Sequence, residues 1–287
     1  MKKDKLNKIK EDKKTLELEK LLAREKSAKQ ICAELNNFIE LKPTLITVID
    51  YIRKLSGFEA VGIRLEDEGD YPYYVYKGFP DSFILHENSL CEKDNLGKRI
   101  PAPDGKGFLL ECMCGNIIRG RFDPSLSFFT PNGSFWSNNT SDLLATTTEE
   151  DRQSRTRNYC NSRGYESVAL IPIKAKDEII GLIQVNDKRP GMFSLDLVEF
   201  MEMIGEQIGL AIKNSLTYTK LKHALDELKA LRRILPICAN CKKIRDDKGY
   251  WHAVECYFKK YANTDFTHSM CPECIKELYS PYRKELQ

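Results

Sequence analysis

The chain has 287 residues, 41% hydrophobic and 30% charged, with a net charge of +3. That suits one sizeable core plus a small satellite domain, and so even a balance makes no general case for nucleic acid or a membrane surface as partner. No apolar run approaches the ~20 residues of a membrane span and the basic N-terminus lacks the apolar stretch of a secretory signal, so the expected location is cytoplasmic, where ten cysteines read as thiols or metal ligands and not as disulfides.

Residues 1–30 carry ten Lys and one Arg against six acids. With Leu6, Ile9, Leu16, Leu18, Leu21 and Leu22 scattered among them, residues 2–40 suit a long helix. Lys13 and Lys20 break the heptad, so a coiled coil and a solvated helix both stay open. Pro43 and Thr44 restart a helix whose apolar face is Leu45, Ile49, Ile52 and Leu55, and Gly57 stops it. Ala60–Leu65 and Tyr71–Lys77 read as two strands joined by the acidic turn Glu66–Asp70. Residues 90–160 are irregular, with turns at Asp104-Gly105 and Asn132-Gly133. Their aromatic segments, Ser127-Phe128-Phe129 and Ser134-Phe135-Trp136, line a pocket or fill core. Glu149–Tyr159 reads as a helix whose Arg152, Arg155 and Arg157 face an anionic ligand or, as charges in such a run more often do, solvent.

The next stretch organises the chain. Val168–Ile173 and Ile179–Val185 are short runs rich in Val and Ile, joined by the polar link Lys174–Glu178, and they read as a hairpin. In the first run Val168 and Leu170 fall on one face and Ala169, Ile171 and Ile173 on the other, as in a central pair covered on both sides. Gly181 lets a neighbour approach closely, and Pro172 argues against a wholly regular pair. Beyond it, Ser194 caps a helix with Asp196 and Glu199 in its first turn. Leu197, Met201, Ile204, Ile208 and Ala211 repeat at helical spacing and should pack on the sheet. Tyr218, Leu221, Leu225 and Leu228 continue as a short dimer-type seam, His223 reads as a surface residue, and Pro236 ends the helix.

The sequence Val-Ala-Leu-Ile-Pro-Ile followed by Ile-Ile-Gly-Leu-Ile-Gln-Val resembles the central hairpin of GAF domains, the small-molecule-sensing modules of bacterial signalling proteins. The resemblance spans roughly residues 30–215. It implies an α+β fold: a mostly antiparallel sheet with helices on its faces, a ligand pocket on one side, and flanking signalling helices that pair in homodimers. The domain organisation expected is a basic helix over 1–29, the sensor over 30–215, a linker helix over 216–235 and a cysteine module over 236–287.

In that module, Cys238-Ala-Asn-Cys241 and Cys271-Pro-Glu-Cys274 are two C-x-x-C pairs. Each turn lets two thiolates reach one ion, and two turns complete a tetrahedral four-sulfur zinc site. A segment this short lacks a good hydrophobic core, so a metal supplies what packing cannot. Asp247-Lys248-Gly249 turns the chain into Tyr250-Trp251, Val254–Tyr261 suits a helix, and the second pair opens a helix over Cys271–Tyr279, a treble-clef-like order. With four cysteines filling the site, Cys256 reads as a small core residue and His268 as structural. Leu235–Trp251 also resembles a C-terminal tail found on many bacterial GAF, PAS and receiver proteins.

A second set, Cys91, Cys112, Cys114 and Cys160, falls inside the sensor region. Cys112 and Cys114 stand two residues apart, on one side of an extended segment. Convergence of the four on one metal or iron–sulfur cluster is one reading, and unligated core thiols are the other. Cys32 reads as packing.

No phosphate-binding loop, kinase ATP site or nucleophile elbow is present. The first expectation is therefore a non-enzymatic sensor of a small ligand or redox state that relays through paired helices to a signalling partner. The GAF resemblance admits an alternative, a thiol enzyme like the free methionine sulfoxide reductases, with Cys114 or Cys112 as nucleophile and another Cys to resolve it. Nucleic-acid binding by the cysteine module is a third reading: Lys242, Lys243, Arg245, Lys259 and Lys260 are diluted by Asp246, Asp247, Glu255 and Glu273, which argues against it.

Overall fold

The computed structural model describes residues 15, 18, 22–36, 40–103, 105, 107–153, 155–231 and 235–279. The predictions for most of residues 2–21, for Asp104 and for the Leu55 and Leu228 side chains lie outside the described residues. The chain divides into two units, Met1–Tyr218 and Thr219–Gln287.

The first unit is built on a five-stranded antiparallel sheet of order β2-β1-β5-β4-β3. Its strands are β1 (Ala60–Leu65), β2 (Tyr73–Lys77), β3 (Phe135–Ser137), β4 (Ser167–Ala175) and β5 (Glu178–Asp187). The predicted hairpin is β4–β5. Ile171 pairs with Ile183 and Ala169 with Val185, and the register shifts between Ile173 and Lys174, beside Pro172. Since β3 covers only Val168–Leu170, β4 is an edge at Pro172, where a missing N–H is tolerated. A Cβ at Gly181 would overlap the Arg64 carbonyl oxygen, the close approach its lack of a side chain predicts. β2 starts two residues later than expected, after Pro72.

Both faces of the sheet are covered. On one, Ile63, Ala169, Ile171, Ile173, Ile183 and Val185 meet helix α1 (22–36), α2 (Leu41–Ser56) and α7 (Leu195–Leu231). The helix over 22–36 is anchored, with Ile31 and Leu35 buried in this core. Helix α7 seats against β4 through two glycines one turn apart: a Cβ at Gly205 would crowd the Pro172 carbonyl, and one at Gly209 would overlap that of Lys174. The opposite face, with Val168, Leu170 and Leu182, is covered by the middle of the chain. That segment is less irregular than its sequence suggests, holding α3 (Asp81–Glu87), α4 (Cys112–Ile118), α5 (Thr140–Thr146) and α6 (Tyr159–Ser162).

Among the described residues the predicted helix over Glu149–Tyr159 is absent; turns and an irregular stretch stand in its place. Thr148 and Asp151 bond each other's backbone and side chains, a local alternative to helix bonding, and Gln153 and Asn158 are left-handed.

In the second unit, β6 (Ile244–Arg245) pairs with β7 (Trp251–His252), followed by α8 (Val254–Ala262) and α9 (Pro272–Tyr279). Asp246 organises the hairpin. It accepts from the Lys248 and Tyr250 amides and the Tyr261 hydroxyl and meets His252 Nε2 at 2.8 Å. Burial pushes its carboxyl up, but these partners, His252 foremost, outweigh that and hold it at about 2. Cys256 is exposed and not the core residue expected: this unit is too small to enclose its helices, and among its described residues Ile244 is the buried apolar side chain.

Candidate functional site: a thiol-lined cavity

A cavity of about 60 Å³ lies on the sheet face opposite α7. Val168 and Leu170 of β4 form its floor, Phe135 and Leu143 its sides, and Cys112, Cys114 and Cys160 reach it from α4 and α6. Alternation along β4 thus sends one set of side chains to the cavity and the other to α7.

Cys112 and Cys114 sit at the start of a wholly buried helix, not on an extended segment. Cys112 takes the left-handed conformation, φ 66°, which is costly for a residue with a Cβ and often marks a functional site. Gly115 permits the tight entry, because a Cβ there would stand 2.8 Å from the Leu110 side chain. Asn116 staples α4 to the chain around Arg152, donating to the Arg152 carbonyl at 2.7 Å.

The three thiols differ in charge. The neighbouring Cys114 thiol, then the Arg157 guanidinium and the Arg157 and Met113 amides, overcome burial and pull the Cys112 thiol down to about 5. Cys114 is pushed up by the neighbouring Cys112 and by burial. Burial raises Cys160 to about 12. Gln184 of β5 bridges the two protonated thiols: its carbonyl is 3.8 Å from Cys114 Sγ and its amide nitrogen 3.5 Å from Cys160 Sγ. It also accepts from the Tyr73 hydroxyl at 2.7 Å. Cys91 stands aside, near the Gly69 carbonyl, and burial with the neighbouring Asp70 raises it to about 11.

Two arginines flank this network, Arg64 buried and Arg157 half-buried, and the partners of neither were legible in sequence. Arg64 is fully buried; it donates to the carbonyls of Tyr71, Glu87 and Asn88 and lies 3.7 Å from the centre of the Tyr73 ring. Arg157 contacts the Ser89 carbonyl, Glu87 and Glu111. Arg152, expected on a solvated face with it, is buried at 7% exposure and lines the cavity. It donates to Thr147, while its Nε has no hydrogen-bond partner among the described residues. Arg155 alone of the three is exposed.

A GAF domain family model matches residues 40–212. The chain belongs to the GAF domain family. No curated protein matches it. Solved structures similar to this GAF chain include the GAF domain of an Acinetobacter phosphoenolpyruvate-protein phosphotransferase, at 16% identity and TM-score 0.44, covering 67% of this chain and 93% of that one. The corresponding Coxiella burnetii domain is 13% identical, with TM-score 0.47 and coverage of 69% and 98%. Free methionine-R-sulfoxide reductase of Neisseria meningitidis, solved with its substrate, is 12% identical, with TM-score 0.46 and coverage of 70% and 93%.

Of the residues singled out in sequence, Cys112, Cys114 and Cys160 meet at this cavity of the GAF domain and Cys91 does not. In the second unit, backbone amides and the partner thiol of each C-x-x-C pair lower Cys238 and Cys271. Lys242 is left-handed and donates its amide to the Cys238 carbonyl, closing the first turn. Among the described residues no group of three or more His, Cys, Asp or Glu side chains is arranged to hold a metal ion, and no helix is long and apolar enough to cross a membrane.

Proposed function

We propose that this GAF protein is a cytoplasmic, non-enzymatic sensor, with the thiol-lined cavity as its sensing site and α7 as its output. The observation that carries the reading is the shared strand: β4 floors the cavity with Val168 and Leu170 and supports α7 with Ala169, Ile171 and Ile173. A second tie runs round the β3 edge, where Thr130 and Asn132 donate to Glu202 of α7. A change at the cavity therefore has two physical routes to the helix. Tyr218, Leu221 and Leu225 are exposed along α7, which supports pairing of two copies there and relay to a partner protein.

The same reading makes the second unit a zinc module, with Cys238, Cys241, Cys271 and Cys274 as ligands. The first thiol of each pair, Cys238 and Cys271, is displaced toward thiolate, the form that binds metal. When bound, zinc supplies folding energy to a unit with little core of its own.

The test is a cavity-filling substitution, Leu143→Trp, followed by hydrogen exchange along α7. Protection at residues 205–225 should change by about tenfold or more, which is ~1.4 kcal/mol of local stability. Unchanged exchange in a folded variant overturns the relay. A coupled assay with free methionine sulfoxide should stay at background, because the cavity is far below the ~300–1,000 Å³ of pockets that enclose larger ligands; turnover would return the thiol-enzyme reading.

A further inference from the structure

Where α7 passes the β4–β5 turn, at the end of the sheet, the first unit holds a cleft of about 920 Å³, within the ~300–1,000 Å³ of small-molecule sites. It shares no residue with the thiol-lined cavity. Leu65, Ile118, Ile180 and Ile212 give it an apolar lining. Gly209, Ile212 and Leu216 follow one another at steps of three and four, on one face of α7, so the face that seats on β4 runs on to become a wall of the cleft. Leu216 stands there 58% exposed, apolar surface that an occupant would cover.

The polar part of the lining is acidic. Glu66, Asp177 and Glu178 stand against one cation, Arg119, which already donates to the Phe108 carbonyl at 2.9 Å. Tyr71 also lines the cleft and is buried at 9% exposure. Its amide donates to Asp70 and its carbonyl accepts from Arg64, and among the described residues no group bonds its hydroxyl. Burial raises that hydroxyl, Arg119 opposes the rise, and Glu66 and Glu178 add to it; three charges of the same lining thus act on it, as they do on a group turned toward the cleft. The carboxylates do not converge on one point, since among the described residues no group of three or more such side chains is arranged to hold a metal ion. Spread beside an apolar bed, they suit a charge carried on a larger body.

We propose that this cleft binds a protonated organic amine, with the ammonium among Glu66, Asp177 and Glu178, the Tyr71 hydroxyl accepting one of its N–H groups, and the hydrophobic body on Ile118, Ile180 and Ile212. An anion meets like charge there, and a wholly apolar molecule gains nothing from the carboxylates. The bound amine bridges the tip of the β4–β5 hairpin and α7, which makes the cleft a second input to that helix, separate from the thiols.

The test compares three indoles that differ in charge: tryptamine, tryptophol and indolepropionate. Each is titrated into the full chain carrying methyl-labelled isoleucine. Tryptamine should shift the Ile118, Ile180 and Ile212 methyl signals with a Kd of about 1 mM or tighter. Tryptophol should bind about fivefold or more weakly, and indolepropionate should leave the signals in place. Asp177→Asn with Glu178→Gln, both at exposed positions, should weaken tryptamine about fivefold or more and leave tryptophol unchanged, a split that a merely structural role does not give. Tyr71→Phe, which keeps the ring, should weaken tryptamine about threefold or more. The three-probe comparison on the wild-type chain stands even if a variant fails to fold. Equal binding of the three indoles, no methyl shift with tryptamine, or calcium chloride moving the same methyls while tryptamine fails to compete overturns the proposal. Leu143→Trp should leave tryptamine binding unchanged, and its loss there overturns the separate input.

Discussion

Cys112 holds its charge because a thiol, two amides and a guanidinium point at one buried sulfur. Around it stand Arg157, Cys114, Glu87 and Glu111, and burial raises both carboxyls while Arg157 opposes that rise. The folded value of Cys112 lies below that of an unfolded thiol. The stability it lends is therefore complete only above the unfolded value, and it is lost as pH falls through about 5. Mapped iodoacetamide labelling should show Cys112 reactivity rising with a midpoint near 5 and level from about pH 6.5 to 8, where an ordinary thiol is still climbing toward ~8.5. Arg64 makes a separate prediction. Arg64→Met leaves three carbonyls without their donor, each at ~1–3 kcal/mol, so urea unfolding of the first unit should show a loss of about 3 kcal/mol or more. Neither role was legible in the sequence: an Arg in a short strand reads as solvent-facing by default, and its acceptors lie at residues 71, 87 and 88, brought there by the fold.

The elements divide by what holds them. The β4–β5 hairpin and α2 were legible because periodicity and turn residues act within each segment, and the alternating faces of β4 follow from its pleat. The four short helices α3 to α6 span four to seven residues each, below the length at which local propensity sustains a helix. They exist because the sheet face beneath them is apolar. The expected helix over Glu149–Tyr159 failed for the converse reason: its charges looked solvated, but Arg152 and Arg157 are drawn inward to carbonyls and carboxylates. Close seating governs α7. Gly209→Ala places a methyl on the Lys174 carbonyl, and this overpacking should cost ~1–3 kcal/mol in urea unfolding. Glu206→Ala, on an exposed position of the same helix, is the control and should stay within about 0.5 kcal/mol of wild type.

Across the molecule, the GAF domain rests on a two-faced hydrophobic core, whereas the tail has little core and, on the reading proposed above, takes its stability from zinc held by four sulfurs. Chelation should therefore abolish the tail's folded signature in near-ultraviolet circular dichroism and leave the melting of the first unit in place; a tail that stays folded in excess chelator would falsify the zinc assignment. The tail's order of elements was legible because cysteine spacing and the Asp-Lys-Gly turn are local, whereas the Asp246 hub was not, since its partners His252 and Tyr261 gain meaning only in three dimensions. The seat of α7 limits how that helix moves against the sheet. Four helical residues rise about 6 Å and two strand residues about 6.8 Å, so Gly205 and Gly209 mesh with the carbonyls of Pro172 and Lys174 like two teeth in two notches. A partial slide would drive a bulkier side chain onto an oxygen. A slide of a whole turn would put Met201 or Lys213 on one of the same carbonyls, so the seat admits tilting about the glycine pair and resists sliding in either direction.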